Sequence, residues 1–120
     1  MAEVMSFFAH GSRWVRADFH LHTRRDREFK DSGAEQDFVA RYVTALKQVD
    51  ICIGVITNHN KFDREEFKAL RKAAKKESIH LMPGIELSVK DGRNGIHTLV
   101  VFHDDWIDNQ ENEDYINSFL

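Results

Sequence analysis

One cysteine, one proline and no excess of positive charge set the first limits on this 120-residue chain. Cys52 alone forms no internal disulfide, and it lies inside an apolar stretch, so nothing marks a disulfide-stapled scaffold. No apolar run approaches the roughly 18–20 residues that cross a bilayer, and no signal peptide is evident; the expectation is a soluble, cytoplasmic protein with no membrane partner. Lys and Arg number 17 against 20 Asp and Glu, a net charge of −3. That excludes a global basic field for nucleic acid and leaves any such contact local. Repeats, low-complexity tracts and linkers are lacking too, so 1–120 reads as a single domain.

What is present is a hydrophobic fraction of 42%, enough for one core and too much for disorder, and 31% charged residues for a well-solvated surface. Seven histidines is the unusual count. Their placement carries more than their number.

Arg13 to His22 is the first predicted strand. His20 and His22 stand two apart and project to one face, while Phe19 and Leu21 turn the other way into a core. Two imidazoles side by side are a preorganised nitrogen pair for zinc or another transition metal. Thr23 to Gly33 is a polar loop in which Arg24, Arg25, Arg27 and Lys30 alternate with Asp26, Glu28 and Asp31. It reads first as a solvated connection, and second as a phosphate-facing loop at the mouth of a histidine site.

A helix follows from Glu35 to Val49, with Phe38, Tyr42 and Leu46 as its apolar stripe. Ile51 to Ile56 is short, apolar and rich in β-branched residues, as a strand buried on both faces is. It ends in a polar tip, Thr57-Asn58-His59-Asn60. Asp63 then caps a second helix, with Glu66 completing a capping box. Its first turn is acidic (Glu65, Glu66), its end basic (Lys72, Lys75, Lys76), and its buried stripe is Phe67, Leu70 and Ala74.

Ile79 to Met82 starts a third strand, closed by Pro83-Gly84-Ile85-Glu86-Leu87-Ser88-Val89. Asp91 to Gly95 is a turn, and Ile96 to Phe102 returns as a fourth strand. Gln110 to Leu120 has Tyr115, Ile116, Phe119 and Leu120 at helical spacing. The order is β-α-β-α-β plus a hairpin strand, an α/β chain with a mostly parallel sheet and right-handed crossovers.

In such architectures ligands bind at the carboxyl ends of the strands. His20 and His22 close the first strand, His59 follows the second, Glu86 follows Pro83-Gly84, and His97 returns on the fourth. Neighbouring strands would bring all five to one rim as ligands for zinc, manganese or iron, and a carboxylate can bridge two ions ~3.5–4 Å apart. His103 sits at a strand end and is a weaker candidate. Asp26 is another. His80 has no rim position and reads as structural, and His10 as a surface residue.

At this point the motifs resemble the PHP (polymerase and histidinol phosphatase) domain. They are Asp18-Phe19-His20-Leu21-His22-Thr23, Ile56-Thr57-Asn58-His59-Asn60, Pro83-Gly84-Ile85-Glu86 and Ile96-His97, in that family's order and spacing. The lead-in Gly11-Ser12-Arg13-Trp14 also looks like PHP domains joined to SMC-like or AAA-like ATPase regions. The resemblance implies the N-terminal portion of a distorted β/α barrel with a two- or three-metal cluster at the strand ends. It implies a metal-dependent phosphoesterase acting on nucleic acid or nucleotides through a metal-activated water. By position, His20, His22 and Glu86 would hold one ion, Glu86 would bridge to a second shared with His97, and His59 would bind a third. Arg24, Arg25 and Arg93 are candidates for a phosphate clamp.

The chain departs from the family in three places. Arg27 stands where an acidic residue or histidine is usual; by the resemblance Asp26 or Glu28, out of register beside it, is the substitute ligand candidate for the third ion. Asn58 replaces the usual Asp. The family's late Asp-X-His ligands have no counterpart here, and a full barrel takes ~200 residues or more, so the chain reads as part of a longer protein. The alternatives are a catalytically incompetent regulatory or assembly module, and a small-molecule monoesterase of histidinol-phosphatase type.

Overall fold

The computed structural model describes residues 9, 11–26, 29, 33, 35–89 and 95–119. Arg93, Arg27, Glu28 and His10 lie outside the described residues. The apolar, β-branched stretch from Ile51 forms the central strand β2 (Ile51–His59). On one side of it runs β1 (Arg16–Leu21) and on the other β3 (His80–Val89), both parallel to it. The fourth strand, β4 (Ile96–Val101), pairs antiparallel with β3, so the sheet order is β1-β2-β3-β4. Helix α1 (Phe38–Gln48) carries the chain from β1 to β2, and α2 (Arg64–Lys76) from β2 to β3, as parallel pairs require. The expected α/β order is therefore the observed one, and the sheet curls into part of a barrel.

The core lies between the helices and the sheet. Phe38, Val43 and Leu46 of α1 and Phe67, Leu70 and Ala74 of α2 pack on Ile51, Ile56, Leu81 and Ile85. Each was an apolar position at helical or strand spacing. A 3-10 turn (Asp104–Asp108) adds the buried Ile107. The last helix, α3 (Gln110–Phe119), buries none of its residues. Of its expected apolar face, Ile116 packs against the core, whereas Tyr115 and Phe119 stay exposed. Two bonds from the Asn117 amide, to Phe62 N–H (3.0 Å) and Phe62 C=O (2.9 Å), tie α3 down instead. Among the described residues no helix is long and apolar enough to cross a membrane.

Three departures from the sequence reading shape the site. First, β1 begins at Arg16, and between the partners Asp18↔Gly54 and Leu21↔Ile56 it spends three residues against two. This bulge, closed by the His20 N–H donating to Asp18 Oδ1 at 2.9 Å, turns Phe19 outward. Phe19 is 52% exposed, so its expected place in the core is corrected.

Second, β2 does not stop at Ile56. The ladder continues through Thr57↔Gly84, Asn58↔Ile85 and His59↔Glu86. Third, Pro83-Gly84 does not close β3. A Cβ on Gly84 would meet the Val100 carbonyl oxygen at 2.5 Å, so glycine there lets β3 pass close to β4. The polar residues read as a loop are strand ends whose side chains are buried: Thr57, Asn58 and Glu86 are each at most 3% exposed.

Candidate metal centre

The register His59↔Glu86 sets the centre of the site. Glu86, 2% exposed, reaches two pairs of imidazoles with its two carboxylate oxygens. Oε1 lies 2.5 Å from His20 Nε2 and 3.9 Å from His22 Nε2. Oε2 contacts His59 Nε2 and lies 3.5 Å from His97 Nδ1. Asp26, also buried, completes the ring. Its Oδ2 accepts the His59 backbone N–H at 2.6 Å and sits 3.0 Å from His59 Nδ1 and 3.8 Å from His22 Nε2. The imidazoles form a row: His20–His22, His22–His59 and His59–His97 centroids are 5.0, 4.7 and 5.7 Å apart.

Three overlapping triads result, His20–His22–Glu86, His22–Asp26–His59 and His59–Glu86–His97, each with donor atoms within 4.8 Å of one another. Donors on a tetrahedral ion at 2.0–2.2 Å are ~3.4 Å apart, close to the wider separations seen here. His22 Nε2 is buried with no hydrogen-bond partner among the described residues, a costly orphan unless something else binds it. The donor set, imidazole with carboxylate, suits a divalent transition ion. The residues fit the group.

Several side chains hold these donors from behind. Thr23, wholly buried, donates its N–H to Asn58 Oδ1 (2.8 Å), accepts from Asn58 Nδ2 (2.9 Å), and donates its hydroxyl to Glu66 Oε1. Asn60, in the left-handed region at φ 49° that asparagine tolerates, clamps the other side. Its N–H donates to Glu86 C=O (2.9 Å) and its Oδ1 accepts from Ser88 N–H (3.1 Å). Ser88 Oγ in turn lies 3.3 Å from His97 Nδ1. From α1, the Tyr42 hydroxyl donates to His22 C=O at 2.8 Å, and burial pushes its acidity well below that of a free phenol.

Sequence reasoning missed Thr23, Tyr42, Asn60 and the role of Glu66. The available signal was the polar run at the end of a doubly buried strand. Half of the expected capping box is present: Asp63 accepts the Glu66 N–H at 2.9 Å. The Glu66 side chain goes to Thr23 instead.

Burial pushes the Glu66 carboxyl above the ordinary glutamate value, with Asp63 adding to the rise and Thr23, Arg25 and Arg24 opposing it. A carboxyl whose folded pKa is raised stabilises the fold fully below its unfolded pKa, and that stability is lost as pH rises through the folded pKa. Glu66→Gln, which mimics the protonated form, should therefore melt higher than wild type at neutral pH in the presence of a chelator. The advantage should shrink as the pH is lowered through the folded pKa towards 4.5, the unfolded value. Melting curves of both proteins across that range check it; a difference that does not change with pH contradicts it.

The remaining candidates lie apart. Arg25 Nε sits 3.2 Å from Asp63 Oδ2, and the Nε atoms of Arg24 and Arg25 are each 3.7 Å from Glu66 Oε2. The Arg24 guanidinium also covers the Phe38 ring at 4.7 Å. Both arginines thus make contacts to the start of α2, and Arg24 also to α1. His103 is exposed; its Nδ1 lies 2.7 Å from Asp105 Oδ1 at the start of the 3-10 turn, outside the three triads. His80 bonds Asp104 Oδ1 at 3.1 Å, in keeping with a structural residue.

No protein-family model and no curated protein matches the chain. Among solved structures it is similar to an amidohydrolase from Chromobacterium violaceum, solved with bound sulfate and no metal. The TM-score is 0.56 at 19% identity, over 87% of this chain and 33% of that one. The likeness shows the fold: a portion of a barrel, spanning about a third of the length of the structure it matches.

Proposed function

We propose that the complete protein is a metal-dependent hydrolase, specifically a phosphoesterase of PHP type that cleaves phosphodiester bonds of nucleic acid or nucleotides. One observation carries the reading: Glu86 faces His20 and His22 with one oxygen and His59 and His97 with the other, at the carboxyl ends of parallel strands. His20, His22 and Glu86 would hold one divalent ion, and Glu86, His59 and His97 a second. His22, Asp26 and His59 form a third set, in which Asp26 takes the acidic place that Arg27 leaves empty. Zinc, manganese or iron bound there supplies an acidified water and neutralises charge on the phosphoryl oxygens. The chain's own part is to preset the donors: Asn60 and Ser88 fix the Glu86–His97 side, and Thr23 and Tyr42 the His22 side.

The barrel likeness to an amidohydrolase supports hydrolysis at C–N bonds as a second reading. Metal analysis of the 120-residue chain beside His20→Ala/His22→Ala is the first test, with stoichiometric metal expected in wild type alone. The complete protein, loaded with Zn²⁺ or Mn²⁺, is then assayed on bis(p-nitrophenyl) phosphate, p-nitrophenyl phosphate and an acyl p-nitroanilide. Diester turnover is expected. Monoester turnover alone would move the substrate to small phosphate esters, and anilide turnover alone would favour the second reading.

A further inference from the structure

We propose that Glu66 is a positioning residue for the metal centre, acting through the Thr23 hydroxyl; this rests on the metal reading above. The argument is the direction of the hydrogen bonds. The Thr23 N–H is a donor only, so the Asn58 atom 2.8 Å from it is the carbonyl oxygen Oδ1. The amide nitrogen therefore faces Thr23 Oγ1 at 2.9 Å and donates to it. Arg25 N–H donates to the same oxygen at 3.3 Å. A hydroxyl has one proton, and here it has one place to go, Glu66 Oε1. Glu66 is the terminal acceptor of the chain, and it is 8% exposed.

What these bonds hold is the backbone behind three candidate ligands. Thr23 directly follows His22, and its carbonyl accepts the Asp26 N–H at 2.9 Å. Asn58 directly precedes His59. One hydroxyl thus joins the end of β1, the turn carrying Asp26 and the end of β2, and Glu66 anchors all three to the first turn of α2. That turn is itself fixed, by Asp63 at its cap and by Phe67 in the core. Without the anchor, Thr23 has no acceptor for its buried proton, and the His22–Asp26–His59 triad loses its backing. The arginines beside Glu66 do not replace it, because guanidinium groups donate and cannot accept.

The test is Co²⁺ titration of the full 120-residue chain, read from the intensity and position of the d–d absorption band. Four variants are compared, with circular dichroism as the check on folding. Thr23→Val and Glu66→Ala should each bind Co²⁺ about 10–100-fold more weakly than wild type, with an altered band. Thr23→Ser and Glu66→Gln, which keep the hydroxyl and the acceptor, should stay within about threefold of wild type. Loss of melting temperature with unchanged affinity and band in Thr23→Val or Glu66→Ala would reduce the contact to fold stability and overturn the proposal. Equal weakening in Glu66→Gln and Glu66→Ala would assign the effect to charge and overturn it too. If Thr23→Val does not fold, the Glu66→Ala and Glu66→Gln pair decides. A wild-type chain that takes up no Co²⁺ overturns the metal reading, and this proposal with it.

Discussion

Glu86→Ala should leave the chain without stoichiometric metal, weakening uptake by more than the roughly 100-fold that bounds typical outer-shell changes. The reason is the sharing of this one side chain. Both oxygens face imidazoles, so its removal strips a donor from the His20–His22–Glu86 and the His59–Glu86–His97 triads together. His97, 58% exposed at its side chain, loses the one triad it joins among the described residues. The third triad, His22–Asp26–His59, keeps all of its donors, so residual binding should be weaker and of lower stoichiometry. Glu86→Gln is the sharper version, since it keeps the volume and removes the charge. Equilibrium dialysis against Zn²⁺ followed by elemental analysis measures both, and wild-type stoichiometry in either variant would refute the hub role.

Phe67→Ala should cost about 3–5 kcal/mol of folding stability, measured by urea denaturation of the metal-free chain. Phe67 is 1% exposed and packs its ring 5.7 Å from that of Phe62, with the Arg71 guanidinium 5.5 Å from its centroid. The core cluster to which it belongs draws on α1, β2 and β3 as well as α2, so a cavity there does not close by the movement of one side chain. The effect should reach the site as well, because Glu66 precedes Phe67 on the first turn of α2. A loss below about 0.5 kcal/mol, the range of an ordinary surface change, would mean that α2 is not held by this ring.

Much of the fold was legible because its signals are local. The Phe38, Tyr42 and Leu46 spacing, the Asp63 cap and the apolar run from Ile51 each depend on residues within one element, where periodicity and capping act. The alternation of strands and helices then restricts the topology to parallel crossovers. Strand ends were less legible. Asn58 and Glu86 look like loop residues until their partners are known, since a polar side chain in a buried strand is stable only when satisfied from another element. The outward turn of Phe19 has the same origin: a bulge is a relation between two strands, and strict alternation along one strand cannot reveal it.

The site divides in the same way. The sequence by itself determined the inventory of candidate donors, and His20, His22, His59, Glu86 and His97 were all nominated from residue type and position near strand ends. Tertiary structure decided which of them meet, and which neighbours join them. Asp26 reaches His22 and His59, because the turn after Thr23 brings its carboxylate under β2. Arg24 and Arg25 meet Glu66, and Arg25 also Asp63, at the start of α2. Glu66 leaves its own helix cap for Thr23, 43 residues away. A donor's chemistry is carried by the residue itself, whereas a pairing needs two distant segments at one distance, and only the packed sheet and helices fix that distance.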